Sequence, residues 1–312
     1  GYKRRTGLVF YEKRETATLT NRGLLGQLGG RLLRPDLWES LGGMATEKRL
    51  IEHRIVLPLA HVELAERAGL ESPRAVVLFG PPGTGKTTFA KAIASRIGWP
   101  FVELFPSSLA GESPAGLAAA LRESFVLVSE LDNVVLFIDE VEEIAALRRD
   151  GSAPPSAAGA PSAHGTGVTN EMLKLIPVFR EREGRLLVCA TNSVRALDAA
   201  FLRHGRFDYV IPVGPPDGEA RAAIWDRYLV DIPHNKLDMA AIVERSALFT
   251  PADIEFAARR TAQVVFEHSI AGNTGAEAST ETVLECIALT RPTLTPHMIE
   301  EFEADINDHA RV

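Results

Sequence analysis

The run Val76-Val-Leu-Phe-Gly80-Pro-Pro-Gly-Thr-Gly85-Lys86-Thr87-Thr88 places glycines, a lysine and hydroxyls in the pattern G-x-x-x-x-G-K-[ST]. Glycines let backbone N–H groups turn inward, and a helix that follows adds its positive end, so the loop suits phosphate oxygens. In such a cradle Lys86 would neutralise the outer phosphates of a nucleotide and Thr87 would offer its hydroxyl to Mg²⁺. Pro82, Gly83, Thr84, Gly85 and Thr88 complete it. Fifty-three residues beyond Lys86, the apolar run Asn133-Val-Val-Leu-Phe-Ile138 ends in Asp139 and Glu140. Two adjacent carboxylates can divide the work. Asp139 would join the Mg²⁺ shell, and Glu140 would orient and deprotonate an attacking water. Glu142 and Glu143 read as a solvated helix face. A third apolar run, Leu186-Leu-Val-Cys-Ala-Thr-Asn192, ends in an amide that could hydrogen-bond both a γ-phosphate and the lytic water. Cys189 within it reads as a small core hydrophobe. Finally, Arg203 and Arg206 stand three apart beside Gly205. Alone they could be surface charge. Behind the other three motifs they suggest fingers for transition-state charge, worth ~10³–10⁵ in rate.

These groups need elements to hold them. Short apolar runs at 76–79, 101–104, 134–138, 186–190 and 209–213 predict strands. Helical stretches at 87–97, 115–129, 140–149 and 168–176 lie between them. Buried strands alternating with helices imply an α/β fold, a parallel sheet covered on both faces. The stretch 150–167 is rich in Ala, Pro, Ser and Gly without apolar period, and reads as a mobile surface loop because the sheet resumes after it. After Pro215 the strands stop. Helices are expected near 218–229, 238–246, 251–269, 280–289 and 296–309, forming a small all-helical domain. The expected organisation is a basic leader (1–37), a P-loop sheet domain (38–215) and a helical domain (216–312).

The chain has 312 residues, 46% hydrophobic and 24% charged. Those proportions exclude a largely disordered chain, a collagen-like repeat and a small disulfide scaffold. Two distant cysteines offer no metal or disulfide framework. No run approaches the ~18 apolar residues of a membrane span. Net charge is −7, yet residues 1–34 balance at +6 and the rest at −13. An acidic body repels phosphate, which makes nucleic acid an unfavoured partner, although the basic head could touch it or an acidic protein. That head lacks the apolar core of a secretory signal, so cytoplasmic placement is expected. Gly1 in place of Met leaves room for an upstream domain. With no H-E-x-x-H, no paired histidines and no nucleophile elbow, nucleotide hydrolysis is the only chemistry the motifs support.

In this order the motifs resemble an AAA ATPase, in the branch of valosin-containing protein, katanin, the proteasomal ATPases and the ATPase domains of membrane-bound AAA proteases. The resemblance extends from about Trp38 to the C-terminus. Trp38-Glu-Ser-Leu-Gly-Gly43 is similar to the family's aromatic-acid-acid-Ile-Gly-Gly segment, and the resemblance implies that Leu41 and Gly42 meet the adenine. Arg54-Ile-Val-Leu-Pro-Leu-Ala-His61 and Gly69-Leu-Glu-Ser-Pro-Arg74 match the approach to the phosphate loop. Leu248-Phe-Thr-Pro-Ala-Asp-Ile254 resembles the Gly-Phe-Ser-Gly-Ala-Asp-Ile lid motif, and Arg291-Pro-Thr-Leu-Thr295 leads into a terminal helix. The resemblance implies a Rossmann-like P-loop sheet domain followed by an all-helical lid, ATP and Mg²⁺ between them, a homo-hexameric ring, and Arg203 and Arg206 acting on the neighbour's nucleotide.

Some positions depart from the family. Leu109, followed by Ala110, replaces the aromatic of the central-pore loop. A weaker grip on a threaded chain and simple local packing both remain open. Pro177-Val178-Phe179 replaces an Asp-Gly-Phe that relays nucleotide state between subunits. Leu248 and Pro251 replace glycines, and Tyr228 stands where a histidine near the adenine is common. The expected function is an ATP-driven ring that remodels a protein substrate or works through an adaptor. The alternatives are a nucleotide-switched assembly scaffold and, with only the basic head behind it, a nucleic-acid-dependent ATPase.

Overall fold

A computed structural model describes residues 25–26, 28–104, 114–145, 164–203, 205–271 and 275–312. Leu109, Ala110 and most of the expected 150–167 loop lie outside the described residues.

Five strands, β1 (Ala75–Phe79), β2 (Phe101–Leu104), β3 (Val134–Ile138), β4 (Arg185–Thr191) and β5 (Tyr209–Pro212), form one parallel sheet in the order β2-β3-β4-β1-β5. Their side chains alternate between two cores. Val77, Phe79, Leu136, Ile138, Leu187 and Cys189 point to one face, and Val76, Leu78, Val135, Phe137, Leu186 and Val188 to the other. Because both faces are covered, the strands read as unbroken apolar runs. That is why their positions were legible from sequence.

Short helices α1 (Ala45–Ile51), α2 (Leu57–Ala60) and α3 (Val62–Arg67) precede the sheet, with a π-helical turn over Glu52–Val56. Helix α4 (Lys86–Ile97) shares the second core with Ile51 and Ile55. Helices α5 (Pro114–Val128) and α7 (His164–Arg180) cover the first, where Phe125 meets Phe179 edge-on at 5.5 Å. Between them in sequence lies α6 (Glu142–Ala145).

Helix α7 corrects the sequence reading at both ends. Expected over 168–176, it begins at His164, inside the stretch read as loop, and continues through Pro177 to Arg180. Proline in a helix interior removes a hydrogen bond and costs ~3 kcal/mol locally. Tertiary contacts hold the last turn regardless. Phe179 is fully buried, and Arg180 pairs with Asp208 at 2.6 Å.

Beyond the sheet come α8 (Gly218–Leu229), α9 (Met239–Arg245), α10 (Pro251–Ile270) and α11 (Thr280–Ala288), followed by α12 (Pro296–His309). Each starts on a side-chain cap: Asp217, Asp238, Thr250, Ser279 and Thr295 accept from backbone N–H groups of the first turn. A third core, centred on the fully buried Trp225, joins α8 to α11. Helix α12 is packed differently. Its Phe302 enters the first core under the sheet, 5.8 Å from the Phe79 ring.

Candidate nucleotide site

In a parallel sheet with helices on both faces, the loops leaving the carboxyl ends of the strands converge on one edge. Here β1 delivers the glycine loop, β3 delivers Asp139 and Glu140, and β4 delivers Asn192. Three stretches far apart in sequence therefore meet because β1, β4 and β3 are consecutive in the sheet.

Gly85 caps α4 at φ +96°, a left-handed conformation that an L side chain adopts only with strain. The next residue, Lys86, is 6% exposed. Its Nζ donates to the carbonyl oxygens of Gly80 and Pro81, both at 2.8 Å, and to Asn192 Oδ1 at 2.9 Å. Burial pushes this ammonium down to about 8, while the charges of Asp139 and Glu142 work the other way. A desolvated cation circled by carbonyl and amide oxygens, at a helix N-terminus, is a group that an anion would stabilise further. Thr84 is buried and donates to Pro81 O at 3.0 Å, which closes the loop on itself. Pro82 is half-buried, while Gly83 and Thr88 are exposed.

Thr87 Oγ1 donates to Asp139 Oδ2 at 2.8 Å. A hydroxyl beside a carboxylate at the mouth of a glycine loop is an oxygen donor set of the kind Mg²⁺ takes. The residues fit that ion. Glu140 is exposed and sits at φ +49°, with its N–H donating to Asp139 Oδ1 at 3.0 Å. Left-handed backbone at a residue other than glycine is a local strain that clusters at functional sites. Partial desolvation raises the Glu140 carboxyl, and the charges of Glu143, Asp139 and Glu142 raise it further. A carboxylate raised above its ordinary value is a stronger base.

Glu142 corrects the sequence reading. Read as solvated, it is half-buried, and its Oε1 accepts from the Asn192 N–H at 3.1 Å. It thus steadies the residue whose side chain holds Lys86. Glu143 is exposed, as expected. The signal for Glu142 was its position three residues after Asp139, one turn along the segment that leaves β3.

Arg203 and Arg206 lie elsewhere. After Asn192 the chain returns to the amino ends of the strands before entering β5, and there Asp208 Oδ2 accepts from the Arg74 and Ala75 N–H groups at 2.7 and 3.0 Å. A five-residue strand is about 16 Å long, so the arginines and the glycine loop occupy opposite edges of the sheet. Arg206 donates to Ala200 O, and its own carbonyl accepts from Arg180. A pocket of about 690 Å³ opens beside them, lined by Asn170, Lys174, Asp198, Arg203 and Arg206 among others. Lys174 is a third cation there, and one lysine on a helix carries no spacing signal in the sequence.

The segment 38–43 lies against the helical region. Leu41 is half-buried on the second core, its carbonyl accepting from Lys48 Nζ at 2.7 Å, and Gly42 backs directly onto Ala223 of α8. Tyr228 donates to Glu255 at 3.0 Å, tying α8 to α10. A Cβ on Gly83 would sit 3.0 Å from the Thr250 methyl, so the glycine loop touches the start of α10. Among the described residues there is no cluster of three or more His, Cys, Asp or Glu that could hold a metal by themselves, and no helix long and apolar enough to cross a membrane.

Residues 76–215 match the family described as "ATPase family associated with various cellular activities (AAA)". The chain carries an AAA ATPase domain. It is 34% identical over 223 residues to the cell division cycle protein 48 homolog of Archaeoglobus fulgidus, covering 71% of this chain and 29% of that protein. Proteasome-activating nucleotidase 2 of Haloferax volcanii is 32% identical over 221 residues, or 70% of this chain and 52% of that protein. The chain thus spans at most about half the length of these relatives. Among solved structures, the FIGL-1 AAA domain in complex with ADP superposes with a TM-score of 0.77 at 21% identity, covering 94% of this chain and 98% of that one. That likeness establishes the AAA fold: a 2-3-4-1-5 parallel sheet followed by a helical region.

Proposed function

We propose that this AAA domain binds ATP at the Gly80–Thr88 loop and hydrolyses it within a homo-hexameric ring that remodels a protein substrate. The observation that carries this reading is the division of the catalytic set between two edges of one sheet. Lys86, Thr87, Asp139, Glu140 and Asn192 share the carboxyl edge, and Arg203 and Arg206 the opposite one. A subunit so built holds most of a hydrolytic site and offers the missing cations to another copy.

Thr87 and Asp139 would hold Mg²⁺, which supplies charge neutralisation at the phosphates when bound. Lys86 would exchange its loop carbonyls for phosphate oxygens. Glu140 would take the proton of the attacking water, and Asn192, released from Lys86, would orient that water. Leu41 and Gly42 would meet the base, between the sheet and α8. Pore contact by Leu109 and Ala110 belongs to this reading as well.

A second reading, a nucleotide-switched scaffold, is favoured by one observation. Pro177 and Val178 continue α7 where the family has an Asp-Gly relay. The separating experiment uses assembled wild-type and Glu140→Gln protein. The wild type should convert ATP to ADP and phosphate, while Glu140→Gln should bind ATP with turnover lower by ~10²–10⁴. Turnover that Glu140→Gln leaves unchanged would remove Glu140 as the base. Stimulation of the wild type by unfolded protein supports remodelling, by one specific partner alone the scaffold, and by nucleic acid neither.

A further inference from the structure

The last residues of the described chain return to the loop that carries the arginines. Arg311 pairs with Val210 as an antiparallel bridge, each N–H donating to the other's carbonyl at 2.9 Å, so it borders the edge strand β5. Its guanidinium then reaches across that loop. Nη1 donates to Leu202 O at 3.1 Å, and Nη2 donates to Phe207 O at 2.5 Å. Those two carbonyls stand immediately before Arg203 and immediately after Arg206. One planar fork therefore holds both ends of the finger-bearing segment, with a geometry that a flexible ammonium does not reproduce.

The platform beneath Arg311 is equally well placed. Helix α12 is fixed under the sheet by Phe302 against Phe79, and by an ion pair from Arg195 to Asp305. At its other end, Thr293 donates to both oxygens of Asp253 at 2.7 and 3.0 Å. Asp253 also closes the cap of α10 on Thr250, the residue against which Gly83 of the phosphate loop lies. One connected set of contacts thus runs from the subunit's own phosphate loop, through Thr250, Asp253 and α12, to the segment offered to the neighbour.

We infer that Arg311 is a positioning residue for Arg203 and Arg206, and that α12, docked under the sheet, brings it to them. The inference rests on the reading that the fingers act on another copy.

Subunit mixing tests it with the full chain. Arg311→Ala rings should hydrolyse ATP ten- to a hundredfold more slowly, as expected when a catalytic group is displaced by about an ångström. Their nucleotide affinity should stay within about twofold, since the phosphate loop is on the far edge. Mixed with Lys86→Ala subunits, Arg311→Ala subunits should regain activity, because the Lys86→Ala copies lend correctly held fingers to intact sites. Arg311→Lys should retain an intermediate rate, which guards against misfolding of the alanine variant. Adding Arg311→Ala to a chain that already carries both Arg203→Ala and Arg206→Ala should slow it no further. If Arg206→Ala complements Lys86→Ala but Arg311→Ala does not, or if its nucleotide affinity falls with its rate, Arg311 is merely structural and the inference is overturned. If Arg206→Ala itself fails to complement in rings of confirmed mass, the reading of fingers in trans fails, and this inference with it.

Discussion

Lys86 shows how a single residue is tuned by its surroundings. Burial drives its ammonium down to about 8, and only Asp139 and Glu142 oppose the shift. The cation is the form that attracts phosphate, and a bound anion raises its pKa again, so binding above pH 8 takes up a proton. Nucleotide affinity should therefore hold below pH 8 and weaken as pH rises through that value, in titration calorimetry across buffers of different ionisation enthalpy. Glu142→Gln removes one of the two supporting charges, so the same weakening should begin at lower pH. An unchanged profile would show that Glu142 does not act on Lys86. Glu140 moves the opposite way on the scale. Because its carboxyl is raised, the acid loss of turnover should begin at higher pH than for an ordinary carboxylate.

Among the elements, α10 has the most at stake in its first turn. Thr250 Oγ1 accepts from the Asp253 N–H at 3.2 Å, and Asp253 Oδ2 accepts from the Thr250 N–H at 2.8 Å, a reciprocal capping box. Asp253 is buried, and its partners are Thr250 and Thr293. Thr250→Ala should cost about 1 kcal/mol, and Thr250→Ser only a few tenths. In thermal unfolding of a chain this size, the first corresponds to roughly 2–4 °C. Equal melting of the two variants would mean that the hydroxyl does not hold the cap. Helix α12 depends instead on its core contact. Phe302→Ala, at a ring 8% exposed against Phe79, should cost about 3–5 kcal/mol.

At the scale of the whole molecule, the sheet keeps the amino and carboxyl ends of its strands about 16 Å apart. No rotamer of Arg203 or Arg206 spans that gap to the subunit's own Lys86. Activity per subunit should consequently rise with protein concentration, following ring formation measured by mass photometry. Arg206→Ala should flatten that rise while leaving nucleotide affinity within about twofold. An Arg206→Ala protein that still shows the concentration dependence would place the assembling contribution on another residue. Lys174, which shares the pocket with both arginines, is then the first to examine.

The sequence by itself determined the strands, most helix starts and the place of the glycine loop after β1. Those are local facts: strands buried on both faces are apolar throughout, caps are written in Asp, Ser and Thr, and a glycine loop needs its glycines where the backbone turns. It also exposed Asp139, Glu140 and Asn192, because each ends an apolar run. It could not show that Glu142 turns inward toward Asn192. That depends on β3 and β4 being neighbours, whereas spacing along the chain only suggests a solvated turn. Nor could local propensity carry α7 past Pro177, since the contacts of Phe179 and Arg180 come from α5 and from Asp208. The grip of Arg311 on Leu202 and Phe207 was equally hidden. Partners more than a hundred residues apart in sequence meet only once α12 docks beneath the sheet and the chain's end pairs with β5.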